Sequence, residues 1–223
     1  MKKIILAGNA TTAMILQHYV NEDARYRIVS AVADDDFLAS GENLGVPCVG
    51  MSSISTRFPP NQHSVIMAAG YGDLNRTRES LFCRLKEMGY RIETYVHSDA
   101  CVYTGHPLGE GCVILPGVVV EPGVKVGANT MVWSNVTLAH DSQVAENCWI
   151  AAGAVISGQA EVHRNTFIGV NATVVNKVSI GEFNVVGGGA LMTKCTKPNT
   201  VHLARSAEVV RYSAEEYSKH FGV

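Results

Sequence analysis

Every sixth residue from Val102 to Val186 is valine, leucine or isoleucine: Val102, Leu108, Ile114, Val120, Val126, Val132, Leu138, Val144, Ile150, Ile156, Val162, Ile168, Val174, Ile180 and Val186. Only 11 further residues of these types fall on the other 70 positions of the stretch, so composition alone does not produce the period. Two residues before the aliphatic the side chain is mostly small, as at Cys112, Thr130, Ser142, Cys148, Ala154, Ala160, Thr166 and Ala172. A chain that turns through three flat faces, with about 18 residues per coil, stacks equivalent side chains above one another. The aliphatics then point inward and the small residues fit the crowded corner. Gly109, Gly127, Gly169, Gly181 and Gly187, which follow the aliphatic, are expected to accept corner dihedrals that a Cβ resists. The pattern predicts a β-solenoid of nearly five coils with no projecting loop.

The first part of the chain has a different rhythm. Short aliphatic runs alternate with helical patterns, the signature of β-α-β units and a parallel sheet. Strands are predicted at Lys3–Ala7, Arg27–Ala33, Val65–Ala69 and Arg91–His97, and helices over 10–20 and Arg76–Met88. The organisation expected is a Rossmann-like α/β domain at 1–97, a β-helix at 98–205 and a helical cap on the last coil at 206–223. Ligands of such open sheets bind beyond the carboxyl ends of the strands. Gly8, Asn9 and Ala10, Asp35 and Asp36 of the Asp34–Asp36 turn, and Gly70 and Tyr71 therefore converge on one crevice as candidate substrate-binding residues. The first turn lacks a full G-x-G-x-x-G fingerprint, which argues against a dinucleotide cofactor. A nucleotide phosphate or sugar remains possible, because the helix N-terminus offers free N–H groups.

Composition narrows the class. The net charge of −2 lacks the basic footprint of a nucleic-acid binder. No apolar run reaches the roughly 18–20 residues that span a bilayer. Lys2-Lys3 followed by Ile4–Ala7 imitates a signal peptide, but Gly8 and Asn9 interrupt it after four apolar residues, so it reads as a strand. The six cysteines show neither C-x-x-C nor zinc spacing and read as free thiols of a cytoplasmic protein. The sequons at Asn9, Asn135 and Asn171 are then chance matches.

The hexads and the stretch Val132-Trp133-Ser134-Asn135-Val136-Thr137-Leu138-Ala139-His140-Asp141 resemble the hexapeptide-repeat acyltransferases. Within them, the chain is similar to bacterial sugar acetyltransferases that place a small nucleotide-binding domain before a left-handed parallel β-helix. That group includes sialic acid O-acetyltransferases and nucleotide-aminosugar N-acetyltransferases. The resemblance implies acetyl-CoA as co-substrate, no metal, and a homotrimer with active sites between subunits. It implies His140 as general base with Asp141 beside it, and a Gly158 backbone N–H facing the thioester carbonyl. Trp149 stands where many members carry a second histidine and is counted with the cofactor-binding residues. Trp133 and Ser134 stand at the acceptor contacts, and Lys194, Lys197 and Arg205 are available for the coenzyme phosphates. The expected activity is N-acetylation of a nucleotide-linked aminodeoxy sugar for surface glycan assembly, with O-acetylation of a glycan hydroxyl as the alternative. Hexad solenoids also carry zinc hydratases of the γ-carbonic anhydrase type, in which His106 and His140 would be distant ligands, but position 145 is alanine where a histidine is needed. A non-catalytic scaffold is the third option. His18 and His220 read as surface residues, His97 as a junction residue, and His163 and His202 as corner or loop residues.

Overall fold

The computed structural model describes residues 1–39, 41 and 43–222. The first part forms a parallel sheet in the order β3-β2-β1-β4-β5, from strands β1 (Lys2–Ala7), β2 (Tyr26–Ala33), β3 (Cys48–Gly50), β4 (Ser64–Met67) and β5 (Arg91–Ile92). Helices α1 (Thr11–Asn21), α2 (Ile54–Arg57) and α3 (Arg76–Glu87) connect them. The strand predicted at Arg91–His97 divides in two. Arg91–Ile92 completes this sheet, whereas β6 (Tyr95–Val96) pairs with Val113–Ile114 and begins the solenoid.

From β6 onward the chain is a three-faced parallel β-helix with a seven-, a six- and a four-stranded face. Partners are offset by one coil in unbroken register, as in Met131↔Trp149, Thr137↔Val155 and Gln143↔Glu161. The predicted aliphatic row forms the core, with Ile114 to Val186 all buried. Full burial of each such side chain contributes about 1.5–3 kcal/mol. The small row beside it, Cys112 to Ala172, is likewise fully buried.

The corner glycines need a different explanation from the one expected. Left-handed backbone recurs every sixth residue from Gly111 to Gly189, three positions before each aliphatic. Gly, Asn or Asp fills most of these sites, because other side chains cost about 1–2 kcal/mol there. Gly109 and Gly127 are not left-handed; they are required by close approach, since an added Cβ would lie 2.6 Å from Ala128 Cα or Ala145 C of the next coil.

The α/β part docks on the seven-stranded face. Outward-facing Val113, Leu115, Met131, Trp149 and Ala151 join one buried cluster with Ile4, Leu6, Leu16 and Ile66. Arg78 of α3 crosses the seam fully buried, donating through Nε to Asn129 O (3.1 Å) and through Nη1 to Met67 O and Ala69 O (3.3 and 2.9 Å). Burial brings its pKa down to about 10, so it stays charged at neutral pH. Asn165 donates to Leu74 O and Glu79 Oε2 alongside it. The C-terminal helix α4 (Ala214–Phe221) starts later than expected, behind a Ser213/Glu216 capping box. It buries none of its residues, so the expected cap over the last coil is not formed within the chain. Among the described residues no helix is long and apolar enough to cross a membrane.

Candidate active site

His140 sits at the corner between the six- and four-stranded faces, after Thr137–Leu138 and before Gln143–Val144. Neighbouring coils hold its backbone: Asp141 N donates to Pro122 O (3.1 Å) and His140 O accepts from Gln159 N (3.0 Å). Its own N–H donates to Glu121 Oε2 at 2.6 Å. Asp141 occupies a left-handed corner site, φ 60°, where Asn stands in several other coils. Its Oδ2 lies 3.1 Å from His140 Nδ1. A carboxylate only accepts, so this bond puts the proton on Nδ1 and leaves the Nε2 lone pair free.

That lone pair faces Gly158. The imidazole lies where a Gly158 Cβ would stand, with Cε1 2.6 Å from that position. Gly158 O accepts from Lys177 N, while the Gly158 N–H has no partner among the described residues. The histidine and aspartate side chains are 56% and 59% exposed, open to a ligand rather than part of the core. The corner therefore offers a base nitrogen, a carboxylate behind it and a free backbone donor beside it, the parts that acyl transfer uses.

The ladder sets the reach of this corner. Because Thr137, Val155, Thr173 and Leu191 pair in register, His140, Gly158, Asn176 and Lys194 share one column. Three coils at about 4.8 Å each separate the first from the last by about 14 Å. Lys194 lines an open groove with Leu191, His202 and Leu203. Lys197 and Arg205 are exposed, and none of these three cations forms an ion pair with a described residue.

A second site lies at the carboxyl ends of β1, β2 and β4, where Gly8, Asn9, Ala10, Ala33, Asp34, Phe37, Ala69, Gly70 and Thr77 enclose about 140 Å³. Gly8 has φ 137° and lies against the segment just after β4; a Cβ there would lie 2.6 Å from Ala68 O. Asn9 Nδ2 donates to Phe37 O (2.8 Å), fastening the turn after β2. No side chain caps α1, whose amino end borders the space. Of the three aspartates, Asp34 lines the cavity and pairs with Arg84. Asp35 and Asp36 do not line it. The short helical turn at Asp35–Phe37 swings Asp35 onto Ser52, whose Oγ it meets at 2.6 Å, and these hydrogen bonds lower its pKa; Asp36 is exposed.

The tryptophans belong to the seam. Trp149 is buried, its ring 5.0 Å from Tyr71 and 5.5 Å from Trp133, on the face away from His140, so it offers no surface to a coenzyme at that corner. Trp133 packs against the same cluster with Nε1 buried. Tyr71 bridges the crevice loop to this cluster and also contacts Phe167 at 4.9 Å. Ser134 follows at the next corner, its carbonyl accepting from Gly153 N. Sequence reasoning brought the Asp34–Asp36 turn to the crevice but chose Asp35 and Asp36 where the lining residue is Asp34, and it missed Glu121 at the His140 corner. His106 and His163 line a trough on the four-stranded face, and among the described residues no three His, Cys, Asp or Glu side chains group closely enough to hold a metal ion.

Residues 108–140 match the sequence profile of the bacterial transferase hexapeptide (six repeats). No curated protein gives a significant match. Among solved structures, the chain is similar to GDP-perosamine N-acetyltransferase PerB from Caulobacter crescentus in complex with CoA and GDP-perosamine (22% identity, TM-score 0.80, covering 92% of this chain and 94% of that one). It is also similar to the acetyltransferase domain of PglB from Neisseria gonorrhoeae in complex with acetyl coenzyme A (21%, 0.81, 94% and 99%). A third likeness is WeeI from Acinetobacter baumannii (19%, 0.78, 90% and 96%). The chain thus carries the bacterial transferase hexapeptide repeat and has the two-part fold of these structures.

Proposed function

We propose that the protein is an acetyl-CoA-dependent N-acetyltransferase acting on the amino group of a nucleotide-linked aminodeoxy sugar. The carrying observation is the column that runs from His140, with Asp141 beside it, through Gly158 to Lys194. An extended pantetheine arm laid along it would bring the thioester beside Gly158 and direct the coenzyme's phosphates toward Lys194, with Lys197 and Arg205 beyond. The acceptor nitrogen attacks the thioester carbonyl while His140 Nε2 takes its proton. The Gly158 N–H supports the oxyanion, and the C–S bond breaks to give the amide and coenzyme A, whose sulfur takes up the proton. Asp141 stabilises the imidazolium. No covalent enzyme intermediate is required.

Two features support an anchored, amine-bearing acceptor. The crevice with its uncapped helix end suits a nucleotide, and the matching PerB structure contains GDP-perosamine. Asp141 brings a carboxylate to the His140 corner that pairs with no lysine or arginine among the described residues, which favours a basic amine, attacking in its neutral form, over a hydroxyl. The crevice belongs to the part docked on the seven-stranded face, and His140 lies at the opposite corner of the prism. An acceptor held in the crevice therefore reaches the histidine of another copy, in keeping with a closed trimer.

The test is thiol release from acetyl-CoA with a panel of nucleotide sugars. Release with amino but not hydroxyl acceptors, lost in His140→Ala, is expected. Release with hydroxyl acceptors alone would replace the N-acetyl assignment by O-acetylation, and full activity in His140→Ala would remove the base.

A further inference from the structure

Nothing about the hexad pattern asks for an acid at position 121, yet its carboxylate accepts the His140 backbone N–H at 2.6 Å, across 19 residues of sequence. The rest of that corner is held by ordinary coil-to-coil bonds, Asp141 N to Pro122 O and Gln159 N to His140 O. The His140 amide is different, because its partner is a side chain reaching across from the preceding coil. We infer that Glu121 is a positioning residue for the imidazole: it fixes the peptide plane from which the His140 ring projects over Gly158 and toward Asp141. This inference rests on His140 being the base proposed above.

Three observations give the contact a directional role. First, the His140 N–H lies in the peptide plane that ends at its own Cα, one φ rotation away from the Cα–Cβ bond, so tilting that plane away from Glu121 shifts the root of the ring unless φ compensates. Second, the ring has little freedom to compensate. It must lie in the space left by the missing Gly158 Cβ while Nδ1 stays 3.1 Å from Asp141 Oδ2. Third, of the four amides over residues 139–142 only that of His140 has a side-chain acceptor, the other three donating to backbone carbonyls, so no coil-to-coil bond holds this amide once Glu121 is removed. A displacement of about 1 Å at a reacting atom costs up to about 100-fold in rate. A positioning fault should thus appear in kcat and leave substrate binding largely intact.

The experiment compares Glu121→Ala with Glu121→Gln, the second keeping a side-chain oxygen that can accept the amide. Glu121→Ala is expected to lower kcat by at least about tenfold, with KM for acetyl-CoA and for the acceptor changed by less than about threefold and unfolding temperature unaltered. Glu121→Gln is expected to recover most of the lost kcat. A wild-type kcat in Glu121→Ala overturns the inference, as does a loss in KM alone, or no recovery in Glu121→Gln. A readout independent of activity is hydrogen exchange in the peptide carrying the His140 amide, faster in Glu121→Ala and near wild type in Glu121→Gln. Unchanged exchange in both variants overturns the contact itself. If the wild-type protein transfers no acetyl group to any nucleotide sugar, the proposed function fails, while the exchange result still decides whether Glu121 holds the corner.

Discussion

Replacing Arg78 by methionine probes how the two parts of the molecule are joined. The guanidinium is fully buried, bonded to Asn129 O, Met67 O and Ala69 O, and has no carboxylate partner among the described residues. Methionine keeps the length of the side chain and removes the charge and the three donated bonds, together with an Nη2 group that is buried without a partner among the described residues. Each carbonyl left without its donor costs about 1–3 kcal/mol, and escape from burying an uncompensated cation returns part of that. A net loss of about 3 kcal/mol follows, because the guanidinium makes three bonds in one place. For a chain of this size each kcal/mol moves the midpoint by about 2–4 °C, so a fall of about 6–12 °C is expected. Both tryptophans of the chain, Trp133 and Trp149, belong to the seam, so their fluorescence reports docking directly. The expected result is an early red shift in emission while far-UV circular dichroism retains the solenoid signal. An unchanged or higher midpoint would refute the reasoning: the cost of burying the charge would then equal or exceed its bonds, and the apolar cluster alone would hold the seam.

Asp141→Asn keeps the left-handed corner but discards the charge 3.1 Å from His140 Nδ1. At water-like dielectric that charge is worth about 1.3 kcal/mol to the imidazolium, so about a tenfold fall in kcat without loss of stability is expected; an unchanged kcat would reduce Asp141 to a corner residue. Gly158→Ala puts a methyl group where the imidazole lies, and a fall of about 100-fold in kcat at nearly constant unfolding temperature is expected. Wild-type turnover would show that the ring position is irrelevant. Burial pushes the Cys112 thiol up to about 11 and Cys148 up to about 12, so both stay protonated and unreactive at pH 8. Mass spectrometry after brief thiol labelling should find exposed Cys83, Cys101 and Cys195 modified first, and rapid labelling of Cys148 would contradict the packing.

The solenoid core was legible because a stacked coil projects its interior onto one residue in six, and Ile114 through Val186 needed no tertiary information to be recognised. Glycine roles were harder. Steric crowding between coils and left-handed backbone both select glycine, and sequence alone does not separate Gly109 from Gly111. Trp133 and Trp149 were assigned to ligands because sequence does not show which prism face is covered, although Val113, Met131 and Trp149, spaced one coil apart, form an outward apolar stripe that signals docking. Asp35 and Asp36 followed from strand-end position, which is blind to the turn that sends Asp34 alone toward the crevice. Glu121 becomes visible only when the coil length is known and one asks what lies one coil before Ala139, the residue that precedes His140. The His140–Asp141 pair was identified through resemblance, and its geometry follows from the left-handed site that favours a short polar side chain after the histidine.

The unbroken register between His140 and Lys194 makes the prism a ruler graduated in coils. Excising one complete coil between them would shorten the interval from about 14 to about 10 Å while leaving the chemistry at each end untouched. Carrier length could in that way be selected by arithmetic on whole coils, separately from the choice of acceptor.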